Sequence, residues 1–569
     1  MKKQLLFSIL FLFNILFLQA QELIKELNYP KGMMTNPLKI PISLAGNYGE
    51  CRPNHFHSGI DVRTNKEENQ PVLAIAHGYI SKISIKNKGF GNCIYINHKG
   101  GYTSVYAHLN SFSPELEKYT KALQYKNTSW EIEIAIPPYQ FPISQGTQFA
   151  LSGNTGSSQA PHLHLEIRDT KTDKTLNGLL FFDTLKDTKK PEIYKLAIYK
   201  GNQSIYEQNP EIISVNKKMD GEFALANSQL NITDNKVYFG IKAGDIMEEA
   251  LGTLGIYAMQ INVDGKPFFE WQVNQISYAE THYMNALADY KTKMLSGPWI
   301  QLCRKLPNDQ LEIYNDIAKK SGVLDLSDGK IHQVTIQAFD VRKNKSVLNF
   351  NVQGTSAPSN NSICNSLMKA GEKNEFKNEQ IAVSIPANAL YDNICFASNF
   401  SKVENKTLYQ VHHSYVPIHD TFLLKLKPTF SIPKGKESKV VFVHYDYNDL
   451  KNPTSQAANF DGTWVYAGVK HFGFYEIQLD ETPPNIGLSI KNESILKNGQ
   501  RISFNVEDAG TAVKKVNVWA GKNWINLSQR KKTYTLEVDN YFPKGKQTLK
   551  IIAEDFNGNR SIKEFIVNK

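Results

Sequence analysis

Pro161-His162-Leu163-His164-Leu165-Glu166-Ile167-Arg168 is the stretch whose reading decides the fold. After the proline, polar and apolar side chains alternate. Successive side chains of a strand point to opposite faces, so His162, His164 and Glu166 share one face while Leu163, Leu165 and Ile167 line a core. Such a strand holds two imidazoles side by side on a rigid support. Upstream, residues 72–76, 79–85, 93–97 and 102–109 are short β-type runs separated by glycines and other turn signals. Runs of this length and spacing indicate an antiparallel β domain over about residues 38–168.

The rest of the chain is read in the same terms. Its 569 residues suggest roughly four domains. With 41% hydrophobic and 21% charged residues, a packed globular protein is expected rather than a disordered one. The formal net charge of +10 (65 Lys+Arg against 55 Asp+Glu) is mild for this length, and no basic run is dense enough for a nucleic-acid groove. Five scattered cysteines, Cys51, Cys93, Cys303, Cys364 and Cys395, make neither a disulfide scaffold nor a paired C-x-x-C zinc ribbon. Cys93, within an apolar strand, is expected buried; Cys364 and Cys395 are a possible pair in an oxidising compartment.

Lys2 and Lys3 precede an apolar run from Leu5 to Leu18, which gives way at Ala20 to Gln21-Glu22. That is the make-up of a secretory signal peptide over residues 1–20, cut after Ala20. The run is short for a membrane span and carries Asn14 in its middle. No cysteine follows it for lipid attachment, and no later stretch is long and apolar enough to cross a bilayer. The mature protein is therefore expected to be exported, to the periplasm or the cell surface, with no integral membrane segment.

Residues 111–145, with Pro114, Pro137, Pro138 and Pro142, read as a less regular lobe inserted near the active face. After Asp187 the character changes. Residues 188–193 (TKKPEI) open a strand-rich region that closes at 332–340, and residues 480–486 (DETPPNI) open one that closes at 549–559. Both openings carry a proline-marked edge and both endings run from an alternating strand into an Asp/Asn turn. A segment of some 90 residues with short strands resembles the immunoglobulin-like modules of exported bacterial proteins. The expected layout is a histidine-bearing domain over 21–186, an Ig-like sandwich over 187–355 with a helical insertion near 278–290, a Ser/Asn-rich linker at 356–362, a β-sandwich-like domain over 363–480 and a second Ig-like sandwich over 481–569. The fold class is mainly β throughout.

Three motifs in the first domain carry chemistry: His57-Ser58-Gly59-Ile60-Asp61, Tyr106-Ala107-His108-Leu109 and His162-Leu163-His164-Leu165-Glu166. Gly59 argues against a helix, so His57 and Asp61 must converge through a turn and a strand start. A His, an Asp and a second His make a sound zinc shell of imidazole nitrogen and carboxylate oxygen, the fourth tetrahedral position being left for water. Three protein ligands with one open position mark a catalytic rather than a structural zinc.

These motifs, together with Ser152-Gly153-Asn154-Thr155-Gly156 and Pro161 before the H-L-H strand, resemble the lysostaphin/LytM-type zinc metallopeptidases that cleave peptidoglycan peptides. The resemblance covers about residues 46–169. It implies that His57, Asp61 and His164 bind a single zinc ion and that His108 and His162 are the catalytic histidines, with peptidoglycan peptides as substrate. Which of the two accepts the proton and which steadies the oxyanion stays open. Glu166 lies on the right face to orient a ligand or to form a solvated ion pair. Cys51-Arg52-Pro53-Asn54 stands where some members carry an aromatic residue, and Arg52 and Asn54 are candidates for substrate contact or for holding the loop.

Other readings are weighed on the same residues. Cys51, six residues before His57, has no orienting third residue for a nucleophile pair. His412-His413, with His419 beyond, lacks a carboxylate-and-His pattern and reads as a surface loop; His55 and His77 read as structural or exposed. The alternatives to an active endopeptidase are a non-catalytic protein of the same fold that binds peptidoglycan or activates another hydrolase, and a scaffold dominated by its sandwich modules. Non-catalytic relatives usually lose zinc ligands or catalytic histidines; this chain keeps all five.

Overall fold

The computed structural model describes residues 29–355 and 364–569, except Thr184, Glu249, Glu404, Asn405, Tyr447 and Asn448. The expected leader at 1–20 and the linker at 356–362 lie outside the described residues. Antiparallel β structure dominates, as the alternation in the sequence requires.

The quoted stretch forms the strand His162–Asp169, third in a sheet whose order runs Leu44–Gly46, Ile60–Arg63, His162–Asp169, Tyr102–Leu109, Asn92–His98, Gly78–Ile85, Ile132–Ala135. Its register puts His164 opposite Asp61 on one side and opposite Ala107, beside His108, on the other. Strand pairing alone therefore gathers residues that lie about a hundred positions apart. Leu163, Leu165 and Ile167 are buried in the domain core with Ile60, Val62 and Tyr106. Each such aliphatic contributes about 1.5–3 kcal/mol, and a one-residue slip would turn all of them outward, so the register is firmly held.

The opposite face is covered as well, by the next module. Gln275–Ile276 pairs with Thr175–Leu176, extending the first domain's sheet. The short helical turns Thr281–Tyr283 and Met284–Leu287 follow, within the stretch expected to be a helical insertion. Glu166 and Arg168 are consequently buried on a face that a lone domain would leave wet.

Residues 111–145 are more ordered than expected. Pro114–Asn127 is an α-helix with proline in its first turn, Glu115 and Glu117 there as well, and Lys126 in the last turn. That arrangement suits the helix dipole. Its buried residues are Leu116, Thr120 and Gln124. Only one of those three is apolar, so the sequence shows no apolar stripe. The helix instead meets the last module: Tyr125 stacks on Tyr541 at 3.8 Å between ring centroids, and Lys121 Nζ lies 2.5 Å from Asp539. A cleft of about 490 Å³ separates the two and borders Asn154 and Thr155.

The remaining strands form paired sheets. Glu192–Lys200 and Lys236–Gly244 belong to one sheet facing a second built around Ile331–Phe339 and Lys345–Gly354. Two five-stranded sheets follow, centred on Phe422–Leu426 and on Gly473–Leu479, and the last pair is built on Arg501–Glu507 and Lys546–Asp555. Cys364 and Cys395 are joined as a disulfide with Cα atoms 5.6 Å apart, while Cys93 and Cys303 are buried thiols. Burial pushes the Cys51 thiol up to about 12, which removes it as a nucleophile. His412 corrects the expectation of a surface loop. It is 2% exposed, stacks on Phe396 and accepts a hydrogen bond from Ala397 N. A bend with φ near +55° just after the strand Lys406–Val411 tucks it inward.

Candidate metal centre

His57 opens the turn after His55–Phe56, and Asp61 lies just beyond it on the strand Ile60–Arg63. A Cβ on Gly59 would fall 2.5 Å from the Leu165 carbonyl, so only glycine lets this turn lie against the His162–Asp169 strand. Across that contact, His57 Nε2 is 3.0 Å from Asp61 Oδ1 and 3.1 Å from His164 Nδ1, and His164 Nδ1 is 2.9 Å from Asp61 Oδ1. The other nitrogens are committed. His57 Nδ1–H donates to the Asn47 carbonyl at 2.7 Å, and His164 Nε2–H to Glu166 Oε1 at 3.1 Å. Carbonyl and carboxylate oxygens only accept, which places the protons on the outer nitrogens. Three lone-pair atoms then face one another at contact distance, an arrangement that calls for a cation between them. The residues present therefore fit a divalent metal ion, and His57, Asp61 and His164 form one of three such groupings among the described residues.

The electrostatics agree. Burial opposes charge on His164, yet hydrogen bonds to Asp61 and Glu166 raise it to about 9, a proton filling the place of the ion. Burial likewise opposes charge on Asp61, but His57 and the bonds from His162 and His164 hold it well below the usual carboxylate range. Glu166, fully buried, is brought down to about 2 against its desolvation by Arg168 and His164. The solvated ion pair considered for Glu166 is thus replaced by a buried one.

The two further histidines stand beside this cluster. His162 Nδ1–H donates to the Ala160 carbonyl at 2.8 Å, with Ser158 Oγ at 3.2 Å, and its Nε2 lies 3.4 Å from Asp61 Oδ1. His108 Nδ1–H donates to the Thr155 carbonyl at 2.9 Å, and its ring centroid is 4.9 Å from that of His162 and 5.8 Å from that of His164. Each ring is held through Nδ1, and the Nε2 of His162 is turned toward Asp61. Burial, followed by repulsion from His164 and His162, pushes His108 down to about 3, so it is uncharged near pH 7. Its backbone takes φ +60°, a left-handed value uncommon outside glycine and frequent at functional sites.

The other two candidate residues hold the loop. Arg52 Nη2 is 2.6 Å from Asp61 Oδ2 and 3.1 Å from Glu50 Oε2, so the second oxygen of Asp61 is tied back. Asn54 accepts a hydrogen bond from Asn285 Nδ2 at 3.1 Å. Sequence reasoning missed three outer partners. Tyr278 donates its hydroxyl to Glu166 Oε1, beneath the Arg168 guanidinium 4.8 Å from its ring. Asn47, whose carbonyl receives His57, is clamped on the backbone of Gly255 by two 2.8 Å bonds. Tyr278 and Gly255 reach across from the second module, and only the aromatic-rich 278–290 stretch carried a hint of them.

Residues 55–124 match the model of peptidase family M23, and residues 365–480 match that of a Zu5-like domain. The resemblance to the lysostaphin/LytM-type metallopeptidases thus holds for the first domain. An uncharacterized metalloprotease of Haemophilus influenzae is 31% identical over 118 residues, 21% of this chain and 19% of the relative. The DD-carboxypeptidase/endopeptidase Mpg of Neisseria meningitidis is 31% identical over 113 residues, covering 20% of each chain. The catalytic domain of the antimicrobial peptidase lysostaphin from Staphylococcus simulans is 21% identical, covering 24% of this chain and 90% of that one with a TM-score of 0.19. The chain spans about a fifth of the length of the curated relatives it matches.

Proposed function

We propose that the protein is an exported zinc metallo-endopeptidase that hydrolyses peptide bonds of peptidoglycan stems or cross-links. The observation that carries this reading is the meeting of His57 Nε2, Asp61 Oδ1 and His164 Nδ1 within 3.1 Å, each outer nitrogen already hydrogen-bonded. Two imidazoles and one carboxylate suit zinc among the common divalent ions. Bound there, zinc would supply a Lewis acid and a water acidic enough to react near neutral pH. Substrate class follows from the M23 match and from the Neisseria relative, whose name describes a DD-carboxypeptidase/endopeptidase.

The chain's own residues would do the rest. Of His108 and His162, one takes the proton of the attacking water on Nε2 and returns it to the leaving amine. The other donates to the carbonyl oxygen as it gains charge. Asn47 and Glu166 keep His57 and His164 in the tautomers that face inward. Arg52 fixes which oxygen of Asp61 points at the centre. Export rests on the leader-like first twenty residues.

The test is zinc content of the purified mature chain together with mass spectrometry of muropeptides released from defined sacculi. One equivalent of zinc and new peptide amines are expected, both lost in Asp61→Ala. A wild type that binds no zinc, or that binds it and releases nothing, leaves the non-catalytic binding or hydrolase-activating reading in its place.

A further inference from the structure

We propose that Asp187, Asp245 and Asp340 form a calcium site at the junction between the peptidase domain and the module that follows it. The three are 8%, 1% and 1% exposed, and each offers a carboxylate oxygen within 4.8 Å of the others. Asp340 is held in place: Oδ1 accepts from Arg342 N at 2.8 Å and Asn344 N at 2.9 Å, and Oδ2 from Asn344 Nδ2 at 2.7 Å. Asp245 Oδ1 accepts from Ile246 N at 2.9 Å. Asp187 differs. Both of its oxygens are buried without a hydrogen-bond partner. A buried carboxylate left unpaired beside two others is costly unless a cation joins them.

The last module supplies an internal control. There Asp480, Asp508 and Asp555 are grouped in the same way. Asn559 Nδ2 bridges Asp555 Oδ2 at 2.8 Å and the Asp480 carbonyl at 3.0 Å, as Asn344 Nδ2 bridges Asp340 Oδ2 at 2.7 Å and the Asp187 carbonyl at 3.1 Å. Asp480, however, is satisfied by the protein: its Oδ2 accepts from Thr511 N at 3.0 Å and Thr511 Oγ1 at 2.9 Å. The same scaffold thus recurs with the first carboxylate occupied in one copy and bare in the other; in the occupied copy a single oxygen, Asp508 Oδ2, lacks a partner, against both oxygens of Asp187.

An all-oxygen, carboxylate-rich donor set selects a hard cation, and calcium tolerates the irregular geometry that magnesium does not. The ion would sit where the chain leaves the peptidase domain. Arg342 already donates to the carbonyls of Phe182 and Leu185 across this junction. Calcium there would fasten the module that delivers Gly255 and Tyr278 to the metal centre.

The zinc-loaded full chain is titrated with calcium chloride alone by calorimetry, and its thermal unfolding is followed in parallel. One equivalent of calcium and a melting temperature that climbs with calcium are expected. Asp187→Asn and Asp245→Asn should each weaken uptake roughly tenfold or more, since affinity follows ligand charge. Without calcium, Asp187→Asn should melt no lower than wild type, because a repulsive charge is gone; in excess calcium the order should reverse. Absence of uptake by wild type up to about 10 mM, roughly tenfold beyond the weak end of about 1 mM for extracellular modules, overturns the proposal. So does uptake that neither substitution changes.

Discussion

The His57/Asp61/His164 centre lies in the first domain and the Asp187/Asp245/Asp340 group at its junction with the next module, and each converges three buried ligating atoms. They are finished differently. In the first, every outward nitrogen of an inner histidine is hydrogen-bonded and Asp61 Oδ2 is bound by Arg52, so the geometry is set before any ion arrives. In the second, Asp187 is left bare. Mixed nitrogen and oxygen donors on a fixed frame favour zinc; unpaired oxygens favour a larger, more forgiving ion. The difference teaches that the centre proposed to do chemistry is the one whose frame is rigid.

The comparison breaks most sharply at Asp61. Asp61→Ala should lower muropeptide release by at least about 1,000-fold, the top of what a single lost transition-state donor causes, and empty the site of zinc, read by metal analysis. The frame should survive His108→Ala: zinc stays at one equivalent while turnover falls about 10²–10⁴-fold, the usual range for a lost general acid or base. Removing the tie on Glu166 sharpens the role of the outer partners. Tyr278→Phe should weaken zinc affinity, measured by chelator competition, roughly 10–100-fold, as outer-shell changes do. The proton that stands in for the ion gives a pH signature. His164 is raised to about 9 when no metal is bound, despite its burial, by Asp61 and Glu166. A histidine with a folded value above its unfolded one stabilises the fold fully below the unfolded value, and that contribution disappears as pH rises through the folded one. Chelator-treated chain should therefore lose about 3 kcal/mol between pH 6.5 and 9 in urea melts, and zinc-loaded chain should not. The smallest effect is expected at the second copy of the carboxylate group, where Asp480 is already occupied by Thr511 and Asp480→Asn should change calcium uptake by less than about twofold.

Much of this was legible along the chain because it is local. Period-two alternation revealed the His162–Asp169 strand and its two faces, and the spacing of His57, Gly59 and Asp61 revealed a turn rather than a helix. The like openings at 187 and 480 were readable too, although not the difference between Asp187 and Asp480, which depends on Thr511. What escaped was long-range. Tyr278 lies 112 residues from Glu166 and Gly255 lies 208 from Asn47, and no periodicity joins such pairs. The Pro114–Asn127 helix escaped for another reason: its inner face is built of Thr120 and Gln124 as much as of Leu116. His412 was misread because a histidine next to another histidine looks solvated until an aromatic neighbour such as Phe396 is known.

The stack of Tyr125 on Tyr541, beside a Tyr125–Asp539 contact spanning 414 positions, brings the far end of the polypeptide back to its beginning. Modules strung on a free chain would lend an enzyme a fishing line, letting the blade sweep a wide radius from wherever the tail is moored. Folded back like this, the string is a noose instead. While that knot holds, the metal centre travels only as far as the whole body does, and whatever reaches it must be brought within arm's length.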